Sequence, residues 1–376
     1  MEPLRTTEYR GKVIELSQSE RAQMSKKKRF VFNIDVLGVC NLSCPSCPTG
    51  NMRDPQRLKG LKGLMQPDLL DRILAKAVTE CEVAGVGLFN WAEPFLHPRL
   101  PELIRIVHGR GIPCHLSSNL NDMKNIEAVL AENPFTLRIS LSGFTQQVYG
   151  RTHRGGDIER VKRNMVELAK VKERLNSRTH IHVLYHRYKG NLEDEPLMRS
   201  FARQLGFAFV PVWAMMMPVE KILAYVNDTS YGVALTDEDH QVIDQLALPL
   251  GEALTAARRQ NAKTCTLQDD QMTLDHRGIV SLCCSVYEGN YNLGSYLDLT
   301  LDELQDRKYK QNICKSCMSC GVSTYITYGF PELDNIAAGN IDPKHAKLLG
   351  LRYERLRKRL REVVQPALDL LRRVAP

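Results

Sequence analysis

The sequence predicts an α/β fold: a partial, TIM-like (β/α)6 barrel, followed by a small C-terminal cysteine-rich domain and a C-terminal helix. Three observations carry this. Between residues 30 and 214 a short apolar strand, a loop and an amphipathic helix recur, with six strands in all, too few for a closed eight-stranded barrel. Six of the eleven cysteines fall between 265 and 320, after the alternation has stopped. From Lys344 onward apolar residues such as Leu349, Leu356, Leu360, Val363 and Leu371 stand at helical spacing among ten Lys/Arg and three Asp/Glu.

The elements follow in order. Residues 1–29 read as a polar arm ending in Lys26-Lys27-Lys28-Arg29. The barrel core, residues 30–214, holds strands expected at Phe30–Val36, Gly85–Asn90, Pro113–Ser118, Leu137–Ser142, His180–His186 and Phe207–Trp213. Between them, Leu69, Leu70, Ile73, Leu74, Ala77, Val78 and Cys81 share one helical face, and Ile158, Val161, Met165, Leu168, Val171 and Leu175 another. Strands alternating with helices imply parallel pairing through right-handed crossovers, with the chemistry at the carboxyl ends of the strands. Residues 215–264 read as a helical linker, with helices near 236–247 and 250–262, and 265–330 as the cysteine-rich domain. The last segment, 331–376, reads as a basic amphipathic helix bent near Pro366.

Composition narrows the function classes. Hydrophobic content of 43% and charged content of 25% are those of a globular protein. No apolar run approaches the ~20 residues that cross a bilayer, and the first residues lack an export segment, so the expected location is the cytoplasm. The net charge of +8 sits almost wholly in the last segment, which argues against nucleic acid as the partner. In a reducing compartment, clustered cysteines point to metal rather than disulfides. Cys81 and Cys114, which stand alone on a helix stripe and inside a strand, are expected in the core.

The first cluster is Val39-Cys40-Asn41-Leu42-Ser43-Cys44-Pro45-Ser46-Cys47-Pro48, directly after the first strand. Four cysteines saturate a [4Fe–4S] cluster. Three, at C-x3-C-x2-C spacing on one loop, leave one iron open to chelate an amino-carboxylate, which the methionyl part of S-adenosylmethionine offers. Structural zinc is the alternative, but it needs a fourth ligand and none lies close in sequence.

This loop resembles that of the radical S-adenosylmethionine (radical SAM) superfamily, and the resemblance continues at later strand ends, over about residues 30–330. Trp91-Ala92-Glu93-Pro94 stands where the family has Gly-Gly-Glu-Pro, Ser117-Ser118-Asn119 where it often has Thr-Asn-Gly, and Ile139-Ser140-Leu141-Ser142-Gly143 where it often has Ser-Leu-Asp-Gly. The resemblance implies that Cys40, Cys44 and Cys47 bind the cluster, that Glu93 accepts hydrogen bonds from the cofactor's ammonium, and that Asn119 and Ser140 meet its polar groups. Two departures stand out: Ser46 replaces the aromatic residue usual before the third cysteine, and Trp91 and Ala92 replace two glycines.

The second group is Cys265, Cys283, Cys284, Cys314, Cys317 and Cys320, with Gly278 five positions before Cys283. It resembles the C-terminal twitch/SPASM-like extension of radical SAM enzymes in its short form, which implies one auxiliary [4Fe–4S] cluster held by Cys265, Cys283 and two of Cys314, Cys317 and Cys320. A zinc ribbon is the alternative, since paired C-x-x-C also suits tetrahedral zinc. Cys284 is a candidate hydrogen-atom donor to a substrate radical. His180, His182 and His186 alternate along one strand, and His186, at its carboxyl end, is the candidate substrate contact or base. Arg154-Gly155-Gly156 is a loop whose arginine is expected in solvent, and Met215-Met216-Met217 is expected to line a cavity.

The expected function is hydrogen abstraction from a small polar metabolite of amino sugar, aminocyclitol or nucleoside-sugar type, giving oxidation or epimerisation, with a flavodoxin- or ferredoxin-type electron donor. A radical SAM maturase acting on a ribosomal peptide is the alternative; the 29-residue arm is shorter than the winged-helix leader-binding domain that some of these carry. A zinc-ribbon binding protein is the alternative of another class.

Overall fold

The computed structural model describes residues 27–51, 63–226, 231, 233–327, 330 and 332–351. One nine-stranded sheet organises them: β1 (Arg29–Ile34), β2 (Glu82–Gly87), β3 (Cys114–Ser118), β4 (Thr136–Leu141), β5 (His180–Arg187), β6 (Ala208–Trp213), β7 (Gln271–Leu274), β8 (Ile279–Ser281) and β9 (Asn292–Ser295). The order across it is β6-β5-β4-β3-β2-β1-β7-β8-β9. From β6 to β7 every pairing is parallel; β8 and β9 are antiparallel. This is the mixed α/β architecture with a partial, TIM-like parallel sheet that the sequence predicts.

The crossovers are α1 (Pro67–Glu80), α2 (Leu100–His108), α3 (Ile126–Ala131), α4 (Gln146–Thr152) with α5 (Ile158–Arg174), and α6 (Glu195–Gln204). Each buries one stripe. Leu70, Ile73, Leu74 and Ala77 do so on α1, and Ile158, Val161, Met165, Leu168 and Val171 on α5. They pack on the outward residues of the strands: Phe30, Phe32 and Ile34 of β1, Leu137, Ile139 and Leu141 of β4, Ile181, Val183 and Tyr185 of β5. Cys81 and Cys114 belong to this core, 2% and 0% exposed. The opposite parity is polar, carrying His115 and Ser117 on β3, Arg138 and Ser140 on β4, and His182 and His186 on β5. A parallel sheet covered on both faces reads as nearly continuous apolar sequence; here alternate residues are polar because the concave face lines a cavity.

Three sequence expectations are corrected in detail. The second strand runs over Glu82–Gly87, three residues before the expected 85–90. Leu88 N still donates to His115 O of β3 at 3.0 Å, but the rest of the expected tail leaves the ladder, and the backbone N–H groups of Asn90, Trp91 and Ala92 donate to the Asp35 carboxylate instead. The parallel strands number seven rather than six: β7 joins β1 with Val31 opposite Gln271 and Ile34 opposite Leu274. Strand β7 falls inside the cysteine-rich segment, so that segment continues the barrel sheet.

Helices α7 (Val219–Tyr225), α8 (Asp237–Gln245) and α9 (Leu250–Arg259) lead from β6 to α10 (Thr266–Asp269) and β7, and α11 (Leu301–Tyr309), α12 (Asn312–Ser319) and α13 (Val322–Ile326) follow β9. The last described residues form two short helices, α14 (Leu333–Ala338) and α15 (Pro343–Leu348). Pro343 opens α15 and the Asp342 side chain caps it by accepting from Lys344 N, so the expected continuous helix is interrupted here. The remainder of the predicted basic helix, with Pro366, and most of the polar arm lie outside the described residues. Among the described residues no helix is long and apolar enough to cross a membrane.

Candidate active site

The loop after β1 is folded on itself by short-range backbone bonds. Cys47 N donates to Cys44 O at 3.2 Å, and Asn51 N to Cys47 O at 2.8 Å. The Asn51 side chain donates to Pro45 O at 3.0 Å. Gly50 is needed for this closure, since a Cβ there would stand 2.5 Å from Cys44 N. The loop is tied to its neighbours by Ser43 N to Arg154 O (2.8 Å) and Glu93 N to Val39 O (3.2 Å).

Cys40, Cys44 and Cys47 thereby face one cavity of about 430 Å3, whose wall also includes Glu93, Asn119, Ser140 and His186. Seven residues predicted from sequence thus come together. Glu93 is 2% exposed; its Oε2 accepts from Asn119 N at 2.8 Å and its Oε1 from Phe95 N at 3.2 Å. Burial pushes its carboxyl up to about 7, against these donors. The Asn119 side chain reaches back to the cysteine loop, donating to Asn41 Oδ1 at 2.8 Å and lying 3.7 Å from Cys40 Sγ. Burial drives the His186 imidazole down to about 4 and that of His153 to about 3, so both are neutral near pH 7. His153 stacks on Tyr149 at 4.6 Å and meets Ser142 Oγ at 3.0 Å.

Two wall residues and one residue behind the wall were not read from the sequence. Arg138 projects from β4, its Nε donating to Ser117 Oγ at 2.9 Å and its guanidinium lying 4.6 Å from the Phe89 ring centre. Tyr188 follows β5, and its hydroxyl stands 3.5 Å from Ser46 Oγ, where the sequence lacks an aromatic residue on the loop. Asp35 holds the loop that carries Glu93 (2.9–3.1 Å to three N–H groups). Asp35 was legible in principle, as a polar residue of inward parity at the end of β1. Arg154 is exposed, as expected, and pairs there with Glu238.

Asp35 yields a pH prediction. Desolvation raises its carboxyl from 3.8 to about 6, although the N–H donors favour the charge. An acid raised in the fold stabilises it in the protonated form; that contribution is complete below 3.8 and is lost as pH rises through about 6. Asp35→Asn, which carries no charge, is therefore expected to gain stability relative to wild type between about pH 4 and about pH 7. Urea unfolding of the full chain checks this; a stability difference unchanged across that range refutes it.

The fit to an iron–sulfur group rests on the donor set. Burial pushes the Cys40 thiol up to about 12, and the Cys44 and Cys47 thiols are raised as well. Such sulfurs become thiolates only against positive charge, which the irons of a cluster supply. Residues 34–191 match the radical SAM superfamily. Among solved structures the chain is similar to SuiB of Streptococcus suis bound to precursor peptide SuiA, at 14% identity over 84% of this chain and 75% of that one, with a TM-score of 0.55. SuiB bound to S-adenosylmethionine matches at 13% identity over 80% of this chain and 72% of that one, TM-score 0.52. At these identities the likeness is one of fold. No curated protein sequence matches the chain.

Beyond the matched residues, the second cysteine group divides. Cys265, Cys283, Cys314 and Cys317 line one small pocket with Val219, Leu267, Leu282, Ile313 and Ile326. Cys314 and Cys317 share a face of α12, one turn apart. Cys320, at the C-cap of α12, and Cys284 lie outside that lining. Cys284 is also absent from the wall of the larger cavity; its sulfur stands 3.7 Å from Ser285 Oγ, and its backbone N donates to the Gln271 side chain at 3.4 Å. Burial raises all four lining thiols. Among the described residues no three His, Cys, Asp or Glu side chains are grouped to hold a single metal ion.

Proposed function

We propose that the protein is a radical SAM enzyme acting on a small polar metabolite of amino sugar, aminocyclitol or nucleoside-sugar type, by oxidation or epimerisation. The observation that carries this reading is the convergence of three thiols and a buried carboxylate on one cavity at the carboxyl ends of the strands. When bound, a [4Fe–4S] cluster with one open iron supplies the electron that splits S-adenosylmethionine and yields a 5′-deoxyadenosyl radical.

Cys40, Cys44 and Cys47 would hold that cluster. Glu93 would accept from the cofactor's ammonium while its bonds from Asn119 N and Phe95 N keep it aimed. Ser140 and Asn119 would meet the cofactor's polar groups, and Asp35 would fix the loop bearing Glu93. His186, neutral by burial, is free to take a proton from substrate. The cavity volume, within the ordinary range for small-ligand sites, supports a compact substrate.

The second cysteine group would hold one auxiliary [4Fe–4S] cluster, with Cys265, Cys283, Cys314 and Cys317 as the ligand set favoured by their shared pocket. It would bind substrate or accept the second electron, a flavodoxin- or ferredoxin-type protein supplying the first. Cys284 as hydrogen-atom donor belongs to the epimerase form of this reading, and Cys284→Ala would then leave the substrate radical without its donor, so 5′-deoxyadenosine would form without epimerised product. Peptide modification is a second reading, supported by the fold shared with peptide-bound SuiB. Deuterium transfer from labelled substrate into 5′-deoxyadenosine separates the two.

Reconstituted anaerobically, the wild-type chain is expected to hold about eight irons and to release 5′-deoxyadenosine with a reductant. About four irons would remove the auxiliary centre alone. A colourless zinc protein without acid-labile sulfide would overturn the whole reading.

A further inference from the structure

Lys308 on α11 is 0% exposed, an unusual place for an ammonium group. Its Nζ donates to the backbone carbonyl of Gln271 on β7. Among the described residues no carboxylate pairs with it; the titratable groups acting on it are the sulfurs of Cys283, Cys314, Cys265 and Cys284. The pocket that three of these share with Cys317 is lined by apolar side chains apart from Gln268, so little water screens a charge there. A single carbonyl does not compensate a buried cation, and leaving one unpaired is costly. Four half-buried sulfurs and one fully buried ammonium therefore stand near one another.

We propose that Lys308 is the resident counter-charge of an auxiliary iron–sulfur centre, its ammonium offsetting the negative charge that four thiolate ligands leave there and holding the reduction potential up. This rests on the auxiliary-cluster reading given above. The placement is specific: Gln268 Nε2 donates to Lys308 O at 3.2 Å, and Gln305 Nε2 to Asp269 O at 3.0 Å, which fasten α11 to the α10 segment beside Cys265. Lys308 is a positioning and tuning residue; it touches neither the larger cavity nor its cysteine loop.

The test uses the full chain with Cys40, Cys44 and Cys47 replaced by alanine, so that only the auxiliary centre reports. Its midpoint is read by redox titration followed by electron paramagnetic resonance, with iron and sulfide counted in each sample. Lys308→Met is expected to keep the iron and to move the midpoint to more negative potential. The ratio of reduced to oxidised centre at the parent's midpoint should fall by about tenfold or more, ~59 mV for one electron. Lys308→Arg, which retains the charge, is expected to titrate near the parent.

A Lys308→Met sample that titrates as the parent does overturns the proposal. Should Lys308→Met lose its iron, Lys308→Arg decides: iron kept by arginine shows the charge is required for assembly, and iron lost from both shows that shape alone matters. A parent that holds no iron removes the auxiliary reading itself, and this is seen before any change at Lys308.

Discussion

Replacing Cys44 by alanine is expected to lower 5′-deoxyadenosine formation by about a thousand-fold or more, the largest catalytic effect any single substitution in the chain should produce. Cys44 is the middle cysteine of the loop, and Gly50 folds directly against its backbone. With two sulfurs left, a cubane would have two uncapped irons and no fixed orientation in the cavity. Iron should fall from about eight to about four per chain, because the Cys265 group lies in a separate pocket. Glu93→Gln separates the two jobs of the site. It removes the charge that meets an ammonium group but leaves all three thiols, so it should retain the iron while weakening S-adenosylmethionine binding. Anaerobic iron counts and 5′-deoxyadenosine assays on the three proteins check this, and a Cys44→Ala chain that still forms the product at the wild-type rate refutes it.

The largest effect on stability is expected at Glu195. Its carboxylate is 1% exposed and accepts two bonds from Arg187, at 2.6 and 2.9 Å, and a third from Arg199. Arg187 is itself buried at the end of β5, its guanidinium 4.8 Å from the Trp213 ring centre. Removing one partner of such a pair strands the other charge in a poorly solvated site. Glu195→Ala is therefore expected to cost about 3–5 kcal/mol in urea unfolding. The paired change Arg187→Met with Glu195→Leu should recover most of that loss, since it leaves no buried orphan, and Arg199, whose side chain is 30% exposed, can turn to water. Equal losses from the single and double variants would refute the electrostatic account. Because Arg187 follows His186 directly, the single variant should also disturb the cavity wall.

Much of this architecture was legible in the sequence, and the reasons are physical. Period-two alternation marks a strand wherever one face is apolar, and β3 to β6 were located within about three residues by it. That Cys40, Cys44 and Cys47 face one cavity was legible, because three cysteines so close in one loop after a strand cannot lie far apart. The contributors from distant chain positions were not. Lys308, Arg138 and Tyr188 are ordinary residues in sequence, and only the fold brings Lys308 to Cys283 or Tyr188 to Ser46. Strand β7 was hidden for a different reason: four residues, Gln271–Leu274, are too few for a periodic signal, and the nearby cysteines suggested a separate unit. The end of β2 was misjudged because Phe89 and Asn90 look like strand continuation, whereas the competing acceptor, Asp35, lies 55 residues earlier than Asn90.

The pairing of β7 with β1 has a consequence for anyone who would trim or transplant parts of this chain. A cut ahead of residue 265 would not release a tidy stand-alone barrel. It would strip one whole side of β1, baring a row of unpaired amide and carbonyl groups along Val31 to Ile34 next to Phe30 and Phe32. Such a ragged margin invites a neighbouring molecule to dock in place of the missing strand, so the shortened protein should clump rather than dissolve.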